Sequence, residues 1–282
     1  MNPIHGIIKL SIFLVCLLAL FTACQEGGDS SYRELRKRNQ KGEYLYRHFD
    51  EVTLIPPMEA RERKLYPWED PVQGGINKIT KEYFRCKGSS SHPAKYEVVK
   101  GEKVHFLDCS GSHSLPLRDG KEFIFPILID LLNYIQEKTG KQVIVTSGHR
   151  CPDHNRYINA AAQNRYSKHQ IGAEVSFYVK GMEREPGMIV KLLMDYYKDR
   201  QKYAGKREYQ DFLRYEKKDS NVALQPWYNK EVFIKVFQSH EGRDLDNNHA
   251  YPYLSIQVRF DDELQSRVNY SWDLAWKNFL RY

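Results

Sequence analysis

The stretch Ser167–Gly181, SKHQIGAEVSFYVKG, decides the fold. It joins S-x-H-x-x-G to an alternating run, AEVSFYV. Gly172 permits a tight turn, and Ala173–Val179 then alternates as a half-buried strand does. A histidine set by a turn at the mouth of a strand is a candidate metal ligand only if further ligands converge on it. The residue seven places beyond His169, where a second ligand is expected, is Ser176.

Upstream, Lys141–Ser147 (KQVIVTS) is rich in β-branched residues and reads as a strand. It runs into the turn Gly148–Asn155 (GHRCPDHN), after which Arg156–Gln163 can begin a short helix. Phe123–Lys138 carries apolar residues at Ile127, Leu128, Leu131, Leu132 and Ile135, a helical spacing. Pro126 is tolerated in its first turn and Thr139-Gly140 stops it. Val104–Cys109 reads as a short strand. Downstream, Pro186–Tyr197 reads as a second helix. Lys235–Asp244 and Pro252–Phe260 read as late strands joined by a polar loop, and Asp262–Tyr282 as a packed terminal helix carrying Trp272 and Trp276. No regular βαβ repeat emerges, so the expected class is α+β with a mainly antiparallel sheet flanked by helices.

A strand ending in S-G-x-R (Ser147–Arg150), followed some twenty residues later by S-x-H-x-x-G (Ser167–Gly172), resembles the zinc D-Ala-D-Ala carboxypeptidases of peptidase family M15, whose fold is shared with the hedgehog signalling domain. The resemblance spans about Phe123–Gly181. It implies that His169 is the first zinc ligand, that Arg150 grips a substrate carboxylate, and that Ser167 orients the histidine segment. His149 and His154 flank Arg150, and either can line the pocket. The family's second ligand, an aspartate, falls on Ser176. Its last, a histidine on a late strand, falls at Ser255 or Gln257. Neutral hydroxyls and amides are poor zinc ligands.

Substitutes are available in the sequence. Glu174 shares the strand face of Ser176, and SHEGRDLDNNHA offers His240, Glu241, Asp244, Asp246 and His249. Glu174, Glu241 and Asp244 are the candidate catalytic carboxylates. His240, His249 and Glu174 are the candidate partners of His169 around zinc. Two readings follow: a degenerate M15-like domain binding peptidoglycan or an envelope partner without zinc catalysis, or a divergent active zinc carboxypeptidase. A structural envelope lipoprotein without a ligand cleft is a third.

Around this domain, residues 1–23 read as a lipoprotein signal peptide. Lys9 precedes the apolar run Leu10–Ala23, too short to span a bilayer comfortably, and Cys24 follows as the acylation site. Residues 24–45 read as a polar tether, 46–100 as an irregular wrap, and 101–282 as the globular domain. The chain holds 43 basic and 36 acidic residues, a net charge of +7. Export and the absence of a basic helix or zinc-finger spacing exclude nucleic acid as partner; the membrane, through the lipid anchor, is one partner, and the expected place is the cell envelope. After Cys24 three cysteines remain. Cys86 and Cys109, both in Gly/Ser loops, are the first choice for a disulfide, although Cys151 could take either.

Overall fold

The computed structural model describes residues 76–88, 95–111, 113–158, 166–216, 222–242 and 244–277. The expected signal peptide, Cys24, the tether and most of the wrap lie outside the described residues. No helix among the described residues is long and apolar enough to cross a membrane.

The centre is a six-stranded sheet in which every pairing is antiparallel. Its strands are β5 (Val143–Ser147), β6 (Glu174–Val179), β7 (Leu213–Arg214), β8 (Trp227–Tyr228), β9 (Val232–Phe237) and β10 (Tyr253–Val258), in spatial order β5-β6-β10-β9-β8-β7. Two helices, α1 (Pro126–Thr139) and α3 (Pro186–Asp199), lie against each other, and α1 also lies against β5 and β10. The α+β, mainly antiparallel architecture read from the sequence is the one observed.

Strand alternation divides the sheet into two chemically different faces. Val143, Val145, Val175, Phe177, Val179, Ile234, Val236, Leu254 and Ile256 belong to the apolar core shared with Ile127, Leu128, Leu131, Leu132 and Ile135 of α1. The opposite parity carries Glu174, Ser176, Lys235, Ser255 and Gln257. All five are buried. A bulge between Val145 and Ser147 shifts the register so that Ser147 stands opposite Ser176 and joins this polar face.

Several boundaries differ from the sequence reading. Helix α1 starts at Pro126, not Phe123, because proline's fixed φ suits the first helical position. Its end is as expected: Gly140 takes φ 61°. The GHRCPDHN segment is not a plain turn. Helix α2 (Pro152–Ile158) begins inside it, again with proline first. Strand β9 ends at Phe237; the following QSHEG turns, with the Glu241 carboxylate accepting from the Gln238 and Ala223 amides.

The wrap is more regular than expected. Its strand β1 (Lys95–Val99) pairs with β2 (Glu102–Phe106) through a two-residue Lys100-Gly101 turn. Both turn residues have positive φ, 53° and 86°, as the tightest hairpins require. Residues 76–88 are bound into the core. Asn133 of α1 both donates to the Ile79 carbonyl and accepts from its amide, each at 2.8 Å, and Phe84 is fully buried. Two short strands, β3 (Leu117–Arg118) and β4 (Lys121–Glu122), pair with each other ahead of α1, the short helix α4 (Arg207–Gln210) follows α3, and the terminal helix α5 (Trp272–Lys277) stacks Trp272 on Trp276 at 4.5 Å between ring centroids.

Candidate functional site

His169 sits in a single 3-10 turn, Lys168–Ile171, closed at both ends. The Ser167 hydroxyl accepts from the His169 amide at 3.2 Å, and Gln170 Oε1 accepts from the Ser167 amide at 3.1 Å. Gly172 at φ 68° ends the turn and feeds β6. The Ser167 hydroxyl thus caps the turn that carries His169. The His169 ring is fixed by Nδ1, which lies 2.6 Å from the Gly148 carbonyl of the S-G-x-R turn. A carbonyl can only accept, so Nδ1 carries the proton and Nε2 is the atom presented to the sheet.

What Nε2 meets is Glu174, whose Oε1 lies 3.6 Å away. Glu174 also accepts from the Ser255 hydroxyl at 2.7 Å. Burial pushes this carboxyl up, but His169, Lys235, Ser255 and Gln257 outweigh burial and hold it at about 2. The ladder gives the rest of the arrangement. Ser176 stands opposite Ser255, Glu174 opposite Gln257, and Lys235 opposite Ser255 from the other side. Lys168 is also fully buried, with its ammonium 2.7 Å from the Val258 carbonyl, and burial draws it down to about 7.

These donors do not fit a catalytic zinc. Such a site needs three basic or anionic ligands and an open position. Here one imidazole and one carboxylate are accompanied by two serines and a glutamine, and a lysine ammonium adds positive charge beside Glu174. Among the described residues two groups of three His, Cys, Asp or Glu ligand atoms lie within 4.8 Å of one another; neither includes His169, Glu174, His240 or His249. His240 is exposed on the turn after β9. His249 packs on Tyr178 at 4.9 Å between centroids. Neither is brought to His169 as a metal partner.

The remaining site candidates form an internal charge cluster. Arg150 is 1% exposed. Its Nε donates to Ser147 Oγ at 2.6 Å and to Asp246 Oδ2 at 3.0 Å, and its second terminal nitrogen donates to Asp244 at 2.9 Å. Asp246 also accepts from the Ser147 hydroxyl at 2.7 Å and contacts His154 Nε2 at 2.9 Å. The other nitrogen of His154 reaches Asp108 at 2.7 Å. Burial opposes a charged His154, yet Asp246 and Asp108 raise its pKa well above the usual value.

Arg150 is thus an internal ion-pair partner, not a grip for a substrate carboxylate, because its own chain supplies the carboxylates. Asp244 and Glu241 are occupied likewise, Asp244 by Arg150 and Asn247 and Glu241 by two amides. Neither is placed as a catalytic base. His149 is buried and held neutral, its pKa lowered by burial to about 4. Lys235 and Asp108 were not singled out in the sequence, and Ser147 was named only as part of the S-G-x-R turn. A lone lysine inside the apolar run VFIKVF was the available signal for Lys235. Cys86 and Cys109, expected as a disulfide, are thiols whose sulfurs stand 3.6 Å apart.

An open groove of about 590 Å³ is lined by Phe123, Phe125, Ile171, Leu274, Arg267 and the Arg118–Asp261 pair.

A six-stranded antiparallel sheet backed by helices, with the S-G-x-R turn holding the S-x-H-x-x-G histidine, is an architecture consistent with the M15 fold. Residues 113–209 match the sequence model of the family described as Peptidase M15. No curated protein and no solved structure matches the chain.

Proposed function

We propose that this is a lipid-anchored envelope protein whose M15 domain binds peptidoglycan stem peptides without hydrolysing them. The observation that carries the proposal is the pairing of Ser176 with Ser255 across β6 and β10. Both stand where the M15 resemblance puts zinc ligands, and both are neutral hydroxyls. Lys235, next in the row, adds a cation where a metal would need anionic or basic donors. With the old cleft filled by buried side chains, the open apolar groove beside Arg118 and Arg267 offers peptide-binding chemistry. Arg118 is paired with Asp261 at 2.6 Å, so the exposed Arg267 is the group that can hold a carboxylate of such a peptide, and the +7 charge favours an acidic polymer. The Leu10–Ala23 run and Cys24 support anchoring at the envelope.

The test uses the full chain, produced with its leader and extracted in detergent. D-alanine release from pentapeptide muropeptides and co-sedimentation with insoluble peptidoglycan are measured. The expected result is no release, with binding that weakens in Arg267→Ala. Release that disappears in His169→Ala would overturn the non-catalytic reading. Failure to co-sediment would overturn the choice of ligand.

A further inference from the structure

The three cysteines of the described domain come from three separate places and meet at one point. Cys86 follows the 3-10 turn Lys81–Phe84, Cys109 lies just beyond β2, and Cys151 immediately precedes α2. They form a buried cluster of their own, with exposures of 0%, 7% and 0%. Three buried sulfurs in contact need a chemical explanation, since an odd number cannot all pair as disulfides.

The geometry argues against a disulfide. A disulfide joins sulfurs about 2.05 Å apart. Cys86 Sγ and Cys109 Sγ are 3.6 Å apart. Two thiolates sharing one tetrahedral zinc at Zn–S distances near 2.3 Å stand about 3.8 Å from each other. The observed spacing, close to that of co-ligands and also that of a thiol–thiol contact, leaves room for one ion between the sulfurs but not for a disulfide.

Two histidines adjoin the sulfurs, and the structure separates their roles. Ligand atoms of Cys109, His113 and Cys151 lie within 4.8 Å of one another, and so do those of Cys86, Cys109 and His154. Both ring nitrogens of His154, however, are held by carboxylates, Nδ1 by Asp108 and Nε2 by Asp246. An imidazole fixed this way is a double donor and has no lone pair for a metal. His113, whose ring nitrogen lies within 4.8 Å of the Cys109 and Cys151 sulfurs, is the candidate for the fourth position. It lies four residues after Cys109, and Gly111 between them turns the chain at φ 76°.

The surrounding backbone supports the sulfurs. The His154 amide donates to Cys151 Sγ at 3.3 Å. The chain after Cys86 passes so close to Cys109 that a Cβ at Gly88 would lie 1.9 Å from the Cys109 sulfur and 2.9 Å from its carbonyl oxygen. Only glycine fits there, so the segment is shaped around that sulfur.

We propose that Cys86, Cys109, His113 and Cys151 form a structural zinc site, distinct from the M15 catalytic position. The ligand class, three soft thiolates and one imidazole in a closed set, selects zinc over hard cations. The ion would clamp Cys86 and Cys109, which lie outside the matched span 113–209, to His113 and Cys151 within it. Its role is to hold the preceding segment onto the domain, and no open coordination position is left for water.

The experiment uses the full chain, produced in a bacterial envelope with its leader and extracted in detergent without added metal. Zinc is counted by elemental analysis, and thiols and disulfides by mass spectrometry under non-reducing conditions. The expected result is about one zinc per chain and no disulfide, falling below about 0.1 zinc in Cys109→Ser and Cys151→Ser but unchanged in His169→Ala. His113→Cys should keep the metal, and its cobalt-substituted form should show the stronger sulfur charge-transfer absorption of a four-thiolate site. This variant decides the matter if the serine variants fail to fold. A disulfide between any two of the three cysteines, or three thiols without metal, overturns the proposal. Zinc lost in His169→Ala and kept in Cys109→Ser overturns it too, and independently overturns the non-catalytic reading.

Discussion

At the scale of the residue, Glu174 is the clearest case of a side chain whose role depends on its surroundings. Its sequence position suggested a substitute ligand or base, and the structure makes it the anion between His169 and Lys235, bonded to Ser255. Its folded pKa of about 2 lies below the usual 4.5. The carboxylate's stabilisation is therefore complete above pH about 4.5 and is lost as the pH falls toward 2. A shift of this size corresponds to roughly 3 kcal/mol at neutral pH. Glu174→Gln is expected to lower the unfolding free energy by about that amount at pH 7, and urea titrations from pH 7 to 3 should show the gap narrowing below pH about 4.5. An unchanged midpoint at pH 7 would mean that the carboxylate is solvated and the polar face open.

At the scale of the element, turns and caps place the chemistry. The S-G-x-R turn holds His169 through the Gly148 carbonyl, and Gly148 in turn lies against Phe84 of the preceding segment. A Cβ on Gly148 would stand 2.4 Å from the Phe84 Cα, a backbone atom that cannot swing away. Gly148→Ala is expected to destabilise by about 1–3 kcal/mol or more in chemical denaturation, as overpacking does. Gly187, near the start of α3, has open space around its Cα and no positive φ. Gly187→Ala should therefore stabilise by about 0.4–1 kcal/mol, through the unfolded chain. The pair of variants separates close approach from helix propensity.

At the scale of the whole molecule, the sheet register decides whether metal chemistry is possible at His169. Ser176 and Ser255 face each other, and Lys235 is next in the same row. The triple variant Ser176→Asp, Ser255→His, Lys235→Met would put an aspartate and a histidine beside His169 and remove the nearby cation. It is expected to take up about one more zinc per chain than the parent, measured by competition with a chromogenic chelator. No added metal would mean that the three positions do not converge as the ladder places them.

The sequence by itself determined the local pieces. The helix over Ile127–Ile135, its glycine stop at Gly140 and the strands through Val145 and Val175 were all legible, because each rests on short-range periodicity or turn chemistry. It also located the gap at Ser176. The tertiary structure alone decided which distant charges meet. Arg150 and Asp246 are 96 residues apart, and no local pattern shows that the arginine finds its carboxylates inside its own chain. The same holds for Glu174 with Lys235, and for Cys86, Cys109 and Cys151, which come together from three separate segments of the chain. Burial is the physical reason. Once water is excluded, each charge and each thiol must find a partner, and only the assembled fold specifies which partners are within reach.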